Sequence, residues 1–366
     1  MPKEKEDRLE NLKCTPLLKT HEALKARIVD FAGFAMPVQY QSVKEEVEVV
    51  RKSAGVFDVS HMGEFWVNGP EAVAFVDYIM TNDFLSAPVG KAVYSPLCNH
   101  EGKILDDLIA YKLSETRVLI CVNASNIDKD WNWIKQFAPK FKVELTNLSD
   151  ETSLLALQGP KSEEVLGQIL SLSLAELPYY GVLSAKWDNS EIIIARTGYT
   201  GEDGFEVFCP NKSIVKLWNA MIELKVAPCG LAARDVLRLE VCYPLYGNDL
   251  SEELTPLDAG LKWTVKLDKP DFVGKSALTN YQPVKKLIKF QLEKGIPRSG
   301  YLIVDGNGKQ VGLTSSGTHS VSLERGIGMA LIDFSQSTKE PLFISVRNQN
   351  VSINIQTKPF VNGGHK

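Results

Sequence analysis

Two adjacent carboxylates interrupt an apolar run at Gly102-Lys103-Ile104-Leu105-Asp106-Asp107-Leu108-Ile109-Ala110-Tyr111. Strand side chains alternate between faces, so Asp107 is expected beside Leu105, Ile109, Tyr111 and Leu113, with Asp106 beside Ile104, Leu108 and Ala110. An ionised carboxylate among aliphatic groups is costly unless a ligand, an arginine or backbone amides pair with it. For the strand alone, a structural ion pair or a bulge turning one aspartate outward is the marginally better account. A second segment, Arg196-Thr197-Gly198-Tyr199-Thr200-Gly201-Glu202-Asp203-Gly204-Phe205-Glu206, carries three glycines in seven positions and runs into a strand with Glu206 between Phe205 and Val207. Glycine lets backbone approach a ligand or adopt positive φ. No Lys-Ser or Lys-Thr follows, so this is no phosphate-binding P-loop, and a tight hairpin with a solvent-facing glutamate is the plainer reading. In the third segment, Gly230 to Glu240, Arg234 and Arg238 lie four apart on one helical face, where like charges repel unless carboxylates answer them. A solvated face paired locally with Asp235 or Glu240 is the ordinary explanation. Of the two, Arg234, beside Ala232 and Ala233, is the better ligand candidate.

Other chemistries lack their residues. The histidines His21, His61, His100, His319 and His365 form no i, i+4 pair, and the six cysteines no C-x-x-C, so no metal site is expected. G-x-S-x-G and G-x-G-x-x-G are absent as well. Forty-one Lys and Arg against 45 Asp and Glu leave a charge of -4, which offers nothing diffuse to nucleic acid. Dispersed cysteines point to reduced thiols in a cytoplasm, and neither a signal peptide nor a membrane span is expected. What remains is a buried site of carboxylates, arginine and aromatic rings, suited to a polar heterocycle.

The elements that position these residues follow from pattern. The 366 residues and 44% hydrophobic content predict two or three domains. Residues 1 to 11 are expected to fray, and Thr15-Pro16 to start a helix reaching Ile28. Ser42 and Glu45 form a capping-box signal for a second helix that Gly55 stops. Gly69-Pro70 opens a third. Strands are expected over Ala92 to Leu97, Ile104 to Leu113 and Arg117 to Val122, a helix around Ile127 to Ile134, and then strands at Ser153 to Leu157, Glu191 to Arg196 and Phe205 to Phe208 alternating with helices near 160–169 and 213–224. Lys266 to Pro270 and Asn280 to Lys286 are plausible junctions. Beyond about residue 285, strict alternation such as Ile288-Phe290-Leu292, with turns at Asp305 to Gly308 and Asn348 to Asn350, reads as an all-β domain.

In this order the segments resemble the aminomethyltransferase (T protein) family of the glycine cleavage system. The likeness runs from Thr15-Pro16-Leu17 to about Pro359-Phe360. It includes Asp30-Phe31-Ala32-Gly33-Phe34-Ala35-Met36-Pro37, Phe57-Asp58-Val59-Ser60-His61-Met62-Gly63-Glu64, the Asp106-Asp107 strand, the Arg196 to Glu206 loop and Ala233-Arg234-Asp235. The resemblance implies an α+β, three-lobed folate-binding fold: two intertwined lobes over 12–280 and a C-terminal β-barrel-like domain over 285–360. It implies transfer of a one-carbon unit from the aminomethyl-dihydrolipoyl arm of a lipoylated H protein to tetrahydrofolate, with release of ammonia and no metal. Asp107 matches the family's essential aspartate. Glu206 suits the 2-amino-4-oxo edge of a pterin, Arg234 a carboxylate or the pterin oxo group, and Tyr94, Tyr111, Tyr199, Tyr243 and Met62 the walls of the folate cavity. The chain departs from the family at Lys103, at Ala232 and over Ser316 to Leu323, which loses a proline. The alternatives are a folate-dependent demethylase and a folate-binding iron–sulfur maintenance protein, of whose signature only Cys242-Tyr243 is present. Docking of an acidic H protein would need a basic rim, for which Lys285, Lys286, Lys289 and Arg298 are one available cluster.

Overall fold

The computed structural model describes residues 11–346 and 349–365. The expected fraying of residues 1–10 and the Asn348 part of the last turn lie outside them. The first helix, α1 (Leu18–Ala23), is shorter than the sequence predicts. Lys25, at φ 59°, ends it, and the β-branched Ile28-Val29 pair enters strand β1 (Arg27–Phe31) instead. Ala32 and Gly33, both at positive φ, turn that strand onto β2 (Phe34–Gln39). Helix α2 (Val43–Lys52) begins as its capping residues dictate: Ser42 Oγ accepts from the Glu45 amide at 3.2 Å and donates to the Glu45 carboxylate at 2.7 Å. Ser53 rather than Gly55 caps its end, and Gly55 opens β3 (Gly55–Asp58).

Two antiparallel sheets follow. The first contains β4 (Gly63–Asn68), β5 (Lys91–Cys98), β6 (Ile104–Ser114), β7 (Arg117–Val122) and β8 (Glu144–Asn147), in the order β5-β6-β7-β4-β8. Helices α3 (Ala72–Ile79) and α4 (Ile127–Ile134) cover its outer face over Phe65, Val76, Leu108 and Ile120. The second sheet contains β9 (Thr152–Gln158), β10 (Val182–Trp187), β11 (Ser190–Ala195) and β12 (Gly204–Pro210), in the order β10-β11-β12-β9-β3, with Ala227–Pro228 parallel to β3. Helices α5 (Ser162–Leu170) and α6 (Asn211–Glu223) seal it through Leu155, Ile194, Val207, Leu217 and Trp218. The inner faces meet in a third core of Phe57, Tyr111, Leu119, Ala156, Ala195 and Phe208, closed by Val47 and Val50 of α2 and Ala233 and Leu237 of α7 (Leu231–Glu240).

Beyond residue 284 come β13 (Lys285–Leu292), β14 (Leu302–Val304), β15 (Gln310–Ser320), β16 (Arg325–Asp333), β17 (Phe343–Val346), β18 (Gln349–Ser352) and β19 (Asn354–Gln356). Ordered β18-β17-β14-β15-β16-β13-β19, they curl into an antiparallel half-barrel around Phe290, Ile303, Ile332 and Ile344. Helix α7 joins this half-barrel to the sheets by polar bonds. Arg238 is buried and donates to Asp249 at 2.7 Å and Ser316 at 2.8 Å, while Ser320 and Ser322 donate to Glu240. Lys269, in an expected junction, is also buried: its ammonium donates to the carbonyls of Asp77, Met80 and Asn82 and pairs with the Asp77 carboxylate. The segment is therefore packed, not a free linker. The basic run at the barrel's start is not one patch, because alternation along β13 sends neighbouring residues to opposite faces. Lys285 pairs with Asp333, Lys286 donates to the Gln336 carbonyl, and Lys289 lines an internal cavity.

Candidate active site

A cavity of about 850 Å³ opens between the two sheets, α7 and the half-barrel. Its walls include every residue that the resemblance names for catalysis or folate binding: Met62, Tyr94, Asp107, Tyr111, Tyr199, Glu206, Arg234 and Tyr243. Asp107 reaches it from β6. The expected alternation along this strand is broken, because Ile104 pairs with Cys98 and Asp106 with Leu97, leaving Leu105 as the extra residue of a bulge. Leu105 consequently joins Leu108 and Ala110 in the outer core, and Ile104 packs with Tyr94 and Leu250. Asp107 still shares the cavity face with Ile109 and Tyr111.

The two aspartates have different surroundings. Tyr94 donates to Asp107 Oδ2 at 3.0 Å, and the Asn123 amide nitrogen donates to Asp107 Oδ1 at 2.9 Å and Asp106 Oδ1 at 2.8 Å. Asp106 is fully buried and receives further bonds from the Asn123 backbone at 3.1 Å and from Asn126 at 2.7 Å. Behind it lies buried Asp130, whose oxygens no donor reaches. Burial, followed by the charge of Asp106, pushes the Asp130 carboxyl up to about 11, so it is a neutral acid at pH 7. Burial raises Asp106 as well, but three donors favour its anion and none favours that of Asp130, so Asp130 is the member of the pair that holds a proton more tightly. Burial, reinforced by the Asp106 charge, raises Asp107 to about 7, against the lowering by Tyr94 and Asn123.

Across the cavity, Glu206 sits in β12 opposite Ala156 on one neighbouring strand and Ala195 on the other, and these small residues leave a hollow above it. Thr197 donates to Glu206 Oε2 at 2.6 Å and Tyr111 to the same oxygen at 3.4 Å. Among the described residues no donor reaches Oε1. The glycine-rich loop that leads here is held from behind. Arg196 clamps Asp203 through two bonds of 2.8 and 2.7 Å and also pairs with Glu163. A Cβ on Gly198 would stand 1.9 Å from Gln158 Oε1, and Gly201, at φ +80°, lies against Val241. Two of the glycines thus serve close internal packing, although Gly198 also lines the cavity.

Arg234 and Arg238 divide as their neighbours dictate. Arg238 is neutralised by Asp249 and Asp235. Arg234 lies with its guanidinium 4.8 Å from the Tyr199 ring centroid, and its Nη1 is buried without a partner. Burial lowers its pKa, and the Glu206 charge opposes that shift. A buried cation with an open donor is a site for an anionic or oxo acceptor. The Tyr199 hydroxyl donates to the Pro244 carbonyl, and the Tyr243 hydroxyl lies 3.3 Å from that of Tyr179.

Residues not singled out from the sequence complete the walls. Asn123, at the end of β7, holds both aspartates, and an amide directly after a strand paired with the Asp106-Asp107 strand was the available signal. His61 is buried with Nδ1 unpartnered; burial lowers it to about 4, so the ring is neutral at pH 7. Tyr180, Trp263, and Leu287 and Lys289 of the half-barrel also face the cavity. Among the described residues no cluster of His, Cys, Asp and Glu could hold a metal ion, and no helix is long and apolar enough to cross a membrane.

Residues 17–269 match the GCVT N-terminal domain, and residues 285–362 the glycine cleavage T-protein C-terminal barrel domain. The chain belongs to the glycine cleavage T-protein family. It is 46% identical to an aminomethyltransferase of Thermosipho melanesiensis, with 97% of this chain and 99% of the relative covered. With one of Thermotoga maritima the identity is 47%, over 96% and 98%. The crystal structure of the glycine cleavage system aminomethyltransferase T from Bartonella henselae superposes with a TM-score of 0.91 at 33% identity, covering 97% of this chain and 99% of that one. This T-protein family member is accordingly a tetrahydrofolate-dependent aminomethyltransferase of glycine cleavage. The demethylase and iron–sulfur maintenance readings are not favoured. Cys242, on which the latter turned, has its thiol pushed up to about 11 by burial, so thiolate is scarce at neutral pH.

Proposed function

We propose that the cavity is the folate site, within a unit spanning residues 12–280, with the half-barrel of 285–360 supplying one wall. Tetrahydrofolate lies with the amino edge of its pterin on Glu206, its rings between Tyr111, Tyr199, Tyr243 and Met62, and an oxo or carboxylate group on Arg234. The free Oε1 of Glu206 and the open Nη1 of Arg234 support this placement, since they are complementary to the donors and acceptors of one polar heterocycle. The aminomethyl group arrives on the dihydrolipoyl arm of a lipoylated H protein and meets the folate beside Asp107 and Tyr94.

The reaction breaks the S–CH2 and CH2–NH2 bonds and forms two C–N bonds to the folate. The two folate N–H protons end on ammonia and on the dihydrolipoyl thiol, and no redox change occurs. Ionised Asp107 orients the attacking amine and stabilises the cationic iminium character that develops as ammonia leaves. Held at about 7, it also exchanges protons readily at neutral pH. We place the reaction in the cytoplasm, a reading supported by the free state of all six cysteines. The observation that carries the proposal is the convergence of Asp107, Glu206 and Arg234 on a single cavity. Incubation with aminomethylated H protein and tetrahydrofolate tests it: folate-dependent release of ammonia is expected, and turnover of a methylated metabolite instead would refute it.

A further inference from the structure

Trp263 is 58% exposed, an unusual position for the largest apolar side chain. It is not a loose surface residue. It sits in a 3-10 turn, Lys262–Thr264, fixed by Thr264 Oγ1 donating to the Leu261 carbonyl at 2.6 Å and Thr81 Oγ1 to the Thr264 carbonyl at 3.1 Å. The indole is stacked on Tyr94, ring centroids 5.9 Å apart and planes 23° from parallel. The Tyr94 hydroxyl in turn holds Asp107. Trp263, Tyr94 and Asp107 thus form a continuous path from solvent to the reacting centre along one wall. Leu261 and Ala259 extend that wall, and among the described residues Trp263 is the only tryptophan lining the cavity.

Resting on the functional reading above, we propose that Trp263 is the platform on which the alkyl chain of the aminomethyl-dihydrolipoyl arm lies as it enters toward Asp107. The chemistry is that of an unbranched methylene chain ending in sulfur, which an exposed, rigidly held indole face accepts by apolar contact without demanding hydrogen bonds. The pterin needs the polar groups at Glu206 and Arg234 instead, so the two substrates read different walls of one cavity. Trp263 is a positioning residue: it touches the arm, while Asp107 meets the reacting atoms.

The experiment compares wild type, Trp263→Ala and Trp263→Phe in folate-dependent ammonia release from aminomethylated H protein. Octanamide, which carries the chain without the sulfur, serves as inhibitor. In Trp263→Ala the KM for H protein and the octanamide inhibition constant both rise, by about tenfold for loss of an apolar wall, while the KM for tetrahydrofolate stays within about twofold. Trp263→Phe restores most of both. A rise in the folate KM instead assigns the indole to folate and overturns the proposal. So does a rise for H protein with unchanged octanamide inhibition, which assigns it to the protein body, or no change in either. Absence of folate-dependent ammonia release in the wild type defeats the functional reading itself and is read separately.

Discussion

The acid pair behind Asp107, proposed above as the catalytic group, makes the pH dependence of the reaction a quantitative test. If ionised Asp107 is the active form, turnover rises with pH through about 7. Burial alone lifts its carboxyl, and the Asp106 charge, bridged to it by the same Asn123 amide, lifts it further. Both carboxylates accept from one amide nitrogen, at 2.8 and 2.9 Å, and two unit charges on the order of 5 Å apart at an effective dielectric of about 20 repel by roughly 3 kcal/mol, or about two pK units. Asp106→Asn takes away the charge itself, and replacing Asp130 as well leaves no second carboxyl of the buried pair behind it. The double substitution Asp106→Asn with Asp130→Asn removes it, and the acid limb of kcat, measured with saturating folate and aminomethylated H protein, is expected to fall from about 7 toward ~5. Asp107→Asn should abolish the limb along with most turnover while leaving folate affinity within a few fold. A limb that stays in place in the double variant, or survives in Asp107→Asn, would refute the assignment of this titration to Asp107.

Glu206→Gln should weaken tetrahydrofolate binding by about 1–3 kcal/mol in calorimetric titration, because the amide places a donor against the pterin's donors. Asp107→Asn should also stabilise the fold. With a folded-state value of about 7 against an unfolded value near ~3.9, the contribution of Asp107 to native stability is full below pH ~4 and is lost as pH rises through 7. The variant's advantage in urea should therefore reach as much as about 4 kcal/mol at pH 8 and vanish near pH 4. Asp58 has the opposite sign. Burial opposes its charge, but His21 at 2.9 Å, the Ser60 amide and Thr15 hold its carboxyl below the usual range. Its contribution is present above pH ~4 and lost as pH falls through the folded value. Asp58→Asn should cost about 3–5 kcal/mol at pH 7 by urea titration, since the amide has one oxygen where the carboxylate offers two, one to the Ser60 amide and one to Thr15 and His21 Nε2, and its NH2 sets a donor against buried donors.

Much of this protein is local and therefore legible along the chain. The Ser42 cap, the helix that Gly69-Pro70 opens, the strands between Ala92 and Val122 and the alternating strands beyond 285 follow from backbone propensity and a period of 2 or 3.6. The oddity of carboxylates inside apolar strands was equally visible, and with the family resemblance it named Asp107, Glu206 and Arg234. Tertiary structure decided what depends on residues far apart in sequence. One extra residue at Leu105 reassigned the faces of its strand, and the turn at Lys25 converted a predicted helical half into a hairpin. Arg238 was taken by Asp249 and Ser316 while Arg234 was left open, and Lys285, Lys286 and Lys289 parted to opposite faces of one strand. Asn123, Asp130 and Trp263 carried no signal strong enough to single them out, because their roles arise only when strands and turns from separate parts of the chain close around a common cavity. Alternation and capping are set by neighbours a few positions away, whereas the charge state of a carboxylate is set by whatever the fold brings within a few ångströms of it.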